Sequence, residues 1–284
     1  MPNQANNALL NQNAVRLRAK DGVSQPYLFY KLREDLFSSY LLNNAQGSAN
    51  QASITLQDIF SYKFSLPPLP EQTAIASVLS SIDDKIDLLH RQNATLEAMA
   101  ETLFRQWFVE EAKENWEVVS LADIAFFFNG KSRPNEEGTI PIYGGNGILG
   151  YTNKSNYTGK SIIIGRVGAY CGSLYYENKK IWVSDNALLV KAKNERHTHY
   201  LFFLLKTLDL NSMAQGSSHP LLTQTLLKSI EVSQPPKDKI EEFDGQFESW
   251  RNKIELNQTQ IRTLTTLRDT LLPKLMSGEV RVKM

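Results

Sequence analysis

The chain has 284 residues, 42% of them hydrophobic and 10% aromatic, which is enough apolar material for two modest cores. Its 31 Lys+Arg stand against 30 Asp+Glu, and a net charge of +1 excludes both an acidic DNA mimic and a histone-like polycation. A single cysteine, Cys171, excludes an internal disulfide and fits a reducing cytoplasm, and the longest apolar runs are too short to cross a bilayer.

In chain order, Met1 to Asn13 is rich in Asn and Gln and lacks the basic and apolar blocks of a signal peptide. From there the chain begins to repeat itself. Asn13-Ala14, Tyr27-Leu28-Phe29, Ala45-Gln46-Gly47-Ser48 and Ser65-Leu66-Pro67-Pro68 return in the same order as Asn186-Ala187, Tyr200-Leu201-Phe202, Ala214-Gln215-Gly216-Ser217 and Ser233-Gln234-Pro235-Pro236. Past the prolines the offset is a constant 168, placing Leu96 on Leu264 and Leu103 on Leu271.

Each repeat ends in a long helix. Glu71–Phe108 contains no Pro or Gly, and Ile75, Leu79, Ile82, Ile86, Leu89, Leu96, Ala100, Leu103 and Trp107 form a heptad seam with Asn93 as its polar slot. The second seam runs through Phe243, Phe247, Trp250, Ile254, Asn257, Ile261, Leu264, Leu271 and Leu275, interrupted by Arg268. Pro273 is expected to kink or end that helix. Paired antiparallel, with residue numbers adding to 350, the seams put Asn93 opposite Asn257, Ile75 opposite Leu275 and Ala100 opposite Trp250. The rod would be roughly 50 Å long at about 1.5 Å per residue.

Between the helices, Glu117–Val232 changes character. Gly-rich turns separate β-rich runs at Ser161–Gly165, Leu174–Tyr176, Ile181–Val183 and Ala187–Val190, with helical patches near Tyr200–Leu208 and Leu222–Lys228. Mixed strands with few helices read as an α+β domain. The predicted organisation is a partial domain over 1–66, a helix over 67–110, a complete domain over 111–234 and a second helix over 235–284.

Gly145-Asn146-Gly147-Ile148-Leu149-Gly150 fits a dinucleotide fingerprint, but no helix follows it, so a hairpin is the better reading and no cofactor is called. His197 and His199 lack further ligands at metal spacing, and no metal is called. Leu66-Pro67-Pro68-Leu69-Pro70 suits a domain-to-helix joint better than a polyproline ligand, because it repeats before the other helix. Basic and aromatic residues gather on the glycine-rich loops: Lys131, Arg133, Lys154, Lys160 and Arg166 with Tyr143, Tyr151, Tyr157 and Tyr170. Arg is the side chain shaped for two-point contact with guanine or phosphate, so Arg133 and Arg166 are the base-reading candidates and the three lysines the phosphate candidates.

These features resemble the specificity subunit of type I restriction–modification enzymes. The resemblance is carried by Trp116-Glu117-Val118-Val119-Ser120-Leu121, Pro141–Gly147, Gly165-Arg166-Val167-Gly168, Gly216–Pro220, the joint Phe64–Gln72 with Ile82–Ile86, and Leu271–Gly278. It implies two target-recognition domains, each followed by a long helix, with the helices forming an antiparallel spacer. It adds Asn146, Ser217 and His219 to the DNA-contact candidates. It implies double-stranded DNA, methylation (M) subunits and a restriction (R) subunit as partners, with methylation and cleavage chemistry in those partners. The sequence agrees in lacking an Asn/Asp-Pro-Pro-aromatic methyltransferase motif. The first repeat is shorter than the family pattern, which leads to the expectation of a second copy or a separate N-terminal fragment as a further partner. A non-functional or regulatory truncated specificity fragment, acting as a coiled-coil assembly scaffold, is the alternative function.

Overall fold

The structure is a computed structural model that describes residues 14–45, 53–216 and 220–283. In chain order the elements are α1 (Gln25–Lys31), α2 (Asp35–Asn44), α3 (Leu56–Ser61), α4 (Leu69–Arg105), β1 (Glu117–Ser120), α5 (Leu121–Ile124), β2 (Ala125–Asn129), β3 (Ile140–Gly144), β4 (Gly147–Thr152), β5 (Lys160–Gly165), β6 (Leu174–Asn178), β7 (Trp182–Val183), β8 (Ala187–Ala192), α6 (Thr198–Thr207), α7 (Gln224–Lys228), β9 (Glu231–Gln234) and α8 (Lys237–Ser277). They form two compact units, residues 1–92 with 256–284 and residues 93–255, and the boundaries fall inside α4 and α8.

In the first unit α1 and α3 start where the sequence supplies caps. Ser24 Oγ accepts from the Tyr27 N–H ahead of α1, which carries Pro26 in its first turn, and Thr55 with Asp58 forms a reciprocal capping box on α3. Tyr27 and Tyr30 of α1 are buried with Ile75, Ala76 and Leu79 of α4 and Leu275 and Met276 of α8. Gln72, almost fully buried, fastens the chain leading into α1: its Oε1 accepts from the Ser24 N–H and its Nε2 donates to the carbonyls of Gly22 and Pro67.

The long helices run antiparallel in this unit. Arg268 Nη1 donates to Asp83 Oδ1 at 2.8 Å, and further along α4 Asn257 Nδ2 donates to Gln92 Oε1 at 3.5 Å, so ascending numbers on α4 meet descending numbers on α8. Asp83 also accepts from Tyr30 Oη, which ties α1 to the same layer. Asn257 is fully buried, while Ile86, Ile261, Leu264 and Leu271 are half-buried, as two helices alone can cover only part of each seam. α8 does not stop at Pro273 but continues to Ser277. The carbonyl deprived of a helical partner belongs to Asp269, an exposed residue, where water takes the bond at little cost. Gly278, at φ +79°, then turns the chain, with the Val280 N–H closing on the Lys274 carbonyl.

In the second unit β1 pairs antiparallel with β9, closing the domain next to Pro235-Pro236, from which α8 departs. An antiparallel sheet of order β2-β8-β5-β6 carries the core on both faces. One face (Phe127, Ile162, Ile164, Leu188, Val190) packs with Leu201 and Leu205 of α6 and Leu227 of α7. The other (Ile163, Leu189) packs with Ile181 and with Tyr143 and Val183 from the mixed sheet β4-β3-β7. Burial on both faces explains why β5 and β8 are continuous apolar runs without alternation.

The helix ends join this domain through an aromatic cluster of Phe104 and Phe108 with Tyr200, Phe203, Phe243 and Phe247. Phe104 lies 5.5 Å from Phe243 and 5.8 Å from Phe203, and Trp107 lies 6.5 Å from Phe243. Leu103 and Trp250 pack around the cluster, Ala100 and Ile254 are buried, Leu96 is half-buried and Asn93 nearly covered. The sequence repeat is also a packing repeat. Tyr27, Tyr30, Ile75 and Leu79 in one unit answer to Tyr200, Phe203, Phe243 and Phe247 in the other, while Leu272 and Met276 of α8 answer to Phe104 and Phe108 of α4.

Candidate nucleic-acid interface

Strand registers bring several loops to one end of the second unit. Asn129 ends β2 opposite Leu188, Gly165 ends β5 opposite Ala187, and Leu174 opens β6 opposite Ile164. Lys131 bridges Ser184, one residue beyond the β3–β7 pair Tyr143–Val183, so the end of the small sheet comes to the same place. Glycines permit the approach. A Cβ on Gly130 would lie 1.8 Å from the Ser184 carbonyl oxygen, and one on Gly165 would lie 2.6 Å from that of Gly145.

Four candidates stand at this end. Lys131 is exposed and forms no ion pair among the described residues. Asn146 is exposed at the tip of the β3–β4 hairpin, whose turn needs Gly147 at φ +79°. Arg166 is fixed through its backbone, its N–H donating to the Asn186 carbonyl and its carbonyl accepting from Leu222 N–H. Its Nη1 donates to Asn129 Oδ1 at 3.4 Å, and its Nε is buried without a partner. Tyr170, on the turn after β5, is about half exposed.

The other candidates lie elsewhere. Arg133 is exposed, with its guanidinium against Gly150 of β4, where a Cβ would come within 2.7 Å of Nη2. Tyr151 is exposed on the same strand. Lys154 is paired with Glu136, whose carboxyl that contact holds below its usual range. Lys160 begins β5 at the opposite end of the sheet, where its Nζ bonds Glu248 of α8 at 2.6 Å. Tyr143 is in the core rather than on a groove-facing surface: it sits on the middle strand of the small sheet, and its Oη donates to Glu177 at 2.6 Å. Ser217 and His219 lie outside the described residues.

Sequence reading missed the groups that hold the domain to α8. Asp244 accepts from the backbone N–H groups of His199 and Tyr200, at 2.9 and 2.7 Å, and so caps α6 from another helix. Burial pushes its carboxyl up to about 7 against the pull of those two bonds. His199 Nε2 bonds Glu248 at 2.7 Å, and burial pushes the imidazole down to about 4, keeping it neutral. The one available signal was Asp244 placed between Phe243 and Phe247 of the apolar seam. No group of three or more His, Cys, Asp or Glu suited to a metal occurs among the described residues, and no described helix is long and apolar enough to cross a membrane.

A family model described as the type I restriction modification DNA specificity domain matches residues 3–98 and 113–266. The MjaIX specificity subunit of Methanocaldococcus jannaschii is 28% identical over 323 residues, covering 96% of this chain and 73% of that one. The EcoprrI specificity subunit of Escherichia coli is 29% identical over 125 residues, covering 43% and 31%. The crystal structure of a type I system S subunit from M. genitalium superposes with a TM-score of 0.62 at 21% identity, covering 93% of this chain and 74% of that one. With two stretches of the family model spanning most of its length, the chain belongs to the type I restriction–modification DNA specificity family.

Proposed function

We propose that the second unit is a target-recognition domain that reads double-stranded DNA with the loop end carrying Lys131, Asn146, Arg166 and Tyr170, and that the chain directs methylation and restriction subunits to that site. The observation that carries this reading is the convergence, at one strand end, of two cations without ion pairs among the described residues, an exposed amide and an exposed tyrosine. Backbone-anchored loops at strand ends hold an Arg or Asn against base edges at low cost in lost side-chain freedom. Tyr151, further along β4, and Arg133, whose guanidinium lies against Gly150 of that strand, extend the contact surface, and Lys131 serves phosphate.

Co-expression with a methylation subunit, followed by mapping of methylated sites, tests the proposal. Arg166→Ala should relax the preference at one base pair, at a cost of about 1–3 kcal/mol on the preferred site. An unchanged methylated sequence and unchanged DNA affinity in both Arg166→Ala and Arg133→Ala would overturn it.

A further inference from the structure

Asn129 is the last residue of β2, and the chain around it has little freedom. Its backbone pairs with Leu188, the next N–H, from Gly130, donates to the Ala187 carbonyl, and Gly130 itself is pressed against Ser184. The Asn129 carbonyl accepts from Tyr157 Oη at 3.3 Å. From this fixed point the side-chain oxygen accepts from Arg166 Nη1. Arg166 is anchored independently through both of its backbone groups, and Cys171 Sγ donates to its carbonyl. With Nε enclosed and Nη1 engaged by Asn129, the outward edge of the guanidinium is set by one side-chain contact.

We propose that Asn129 is a positioning residue for base readout, presenting the Arg166 guanidinium in one orientation while leaving its charge intact. The inference rests on the reading that Arg166 contacts DNA. The residue type matters as much as its place. An amide oxygen orients a guanidinium much as a carboxylate does, but a carboxylate would neutralise the cation and set a negative charge beside phosphates. An orienting bond that stays neutral favours sequence discrimination without lowering general attraction to DNA.

The test uses the full chain co-purified with a methylation subunit and a pool of randomised DNA duplexes. Bound duplexes give the preferred sequence, and affinity is then measured on that duplex and on a scrambled one at several salt concentrations. Asn129→Ala should lose about tenfold on the preferred duplex, relax the preference at the same base pair as Arg166→Ala, and leave the scrambled duplex unchanged. Asn129→Asp keeps the acceptor and the size, so it covers the case in which the alanine variant does not fold. It should retain the preference, bind every duplex more weakly, and reduce the salt slope by about one phosphate contact. If Arg166→Ala relaxes the preference while a folded Asn129→Ala behaves as the parent, Arg166 reads DNA without help from Asn129 and the inference fails. An Asn129→Asp variant with the parent's affinity and salt slope also overturns it. If Arg166→Ala changes nothing, the reading that Arg166 contacts DNA fails first and takes the inference with it.

Discussion

Replacing Asp244 by alanine removes the cap that α8 lends to α6. Two backbone N–H groups, of His199 and Tyr200, lose acceptors at 2.9 and 2.7 Å. Both residues are buried, so water does not replace the lost bonds freely. Each orphaned donor costs about 1–3 kcal/mol. Removing a carboxylate whose burial pushes it up to about 7 returns part of that cost, because the charged form was desolvated. The net expectation is a loss of about 2–4 kcal/mol, with Asp244→Asn, which keeps one acceptor, losing about half as much. Urea unfolding followed by tryptophan fluorescence measures it, since Trp107, Trp116 and Trp250 all belong to this unit. A change in Asp244→Ala below about 0.5 kcal/mol, the size of an ordinary surface substitution, would refute the reasoning.

Three further outcomes follow from the same contacts. His199 is held down to about 4 by burial, against 6.5 when free, so its stabilising contribution is present above pH 6.5 and is lost as pH falls towards 4. The stability difference between the parent and His199→Gln, measured by urea unfolding at several pH values, should shrink across that window by up to about 3 kcal/mol. Lys131→Ala should weaken binding to all duplexes alike and lower the salt slope by about one, measured by titration at three or more ionic strengths. Ala76→Asp, at the position in the first repeat that answers to Asp244, should destabilise by at least about 2 kcal/mol in thermal or urea unfolding. Pro26 stands where His199 does and has no N–H, and Tyr27 N–H already meets Ser24 Oγ, so a buried carboxylate there would lack the donors that satisfy Asp244.

Much of the fold was legible in the sequence because its signals are local. The β-rich runs that became β5, β6, β7 and β8, the helical patches at α6 and α7, and the two proline-launched helices each show in a few neighbouring residues. The repeat was legible because both copies keep the same apolar positions. Pairing of surface charges was not legible. Lys160 meets Glu248 from 88 residues away, and nothing near either residue distinguishes an ion-paired lysine from a free one. Tyr143 failed for a related reason. On a strand covered from both sides, Ile142 and Tyr143 are buried together, so an aromatic on a glycine-rich loop and an aromatic in a core look alike in sequence. Asn129 was invisible because the role proposed for it rests on one contact with Arg166, 37 residues later.

The course of β5 separates the proposed reading end of this domain from its attachment to α8. At its first residue Lys160 is bonded to Glu248 of α8, beside the neutral His199 and the capping Asp244. At the far end Gly165 hands the chain to Arg166 and the exposed turn. Six residues of strand, about 17 Å at roughly 3.3 Å per step, separate the two ends. Between them Ser161 to Gly165 are buried, and Ile162, Ile163 and Ile164 belong to the core on both faces. Docking therefore draws on Lys160, Asp244, Glu248 and the aromatic cluster around Phe243, whereas the residues proposed to read DNA contribute little to that core. Substitutions at Lys131, Asn146 or Tyr170 remove exposed side chains and should cost little stability. Arg166 is the exception at the reading end, because its stem is enclosed and its orientation is shared with Asn129. The two ends of one strand thus separate attachment, at the first residue, from the readout proposed just past the last.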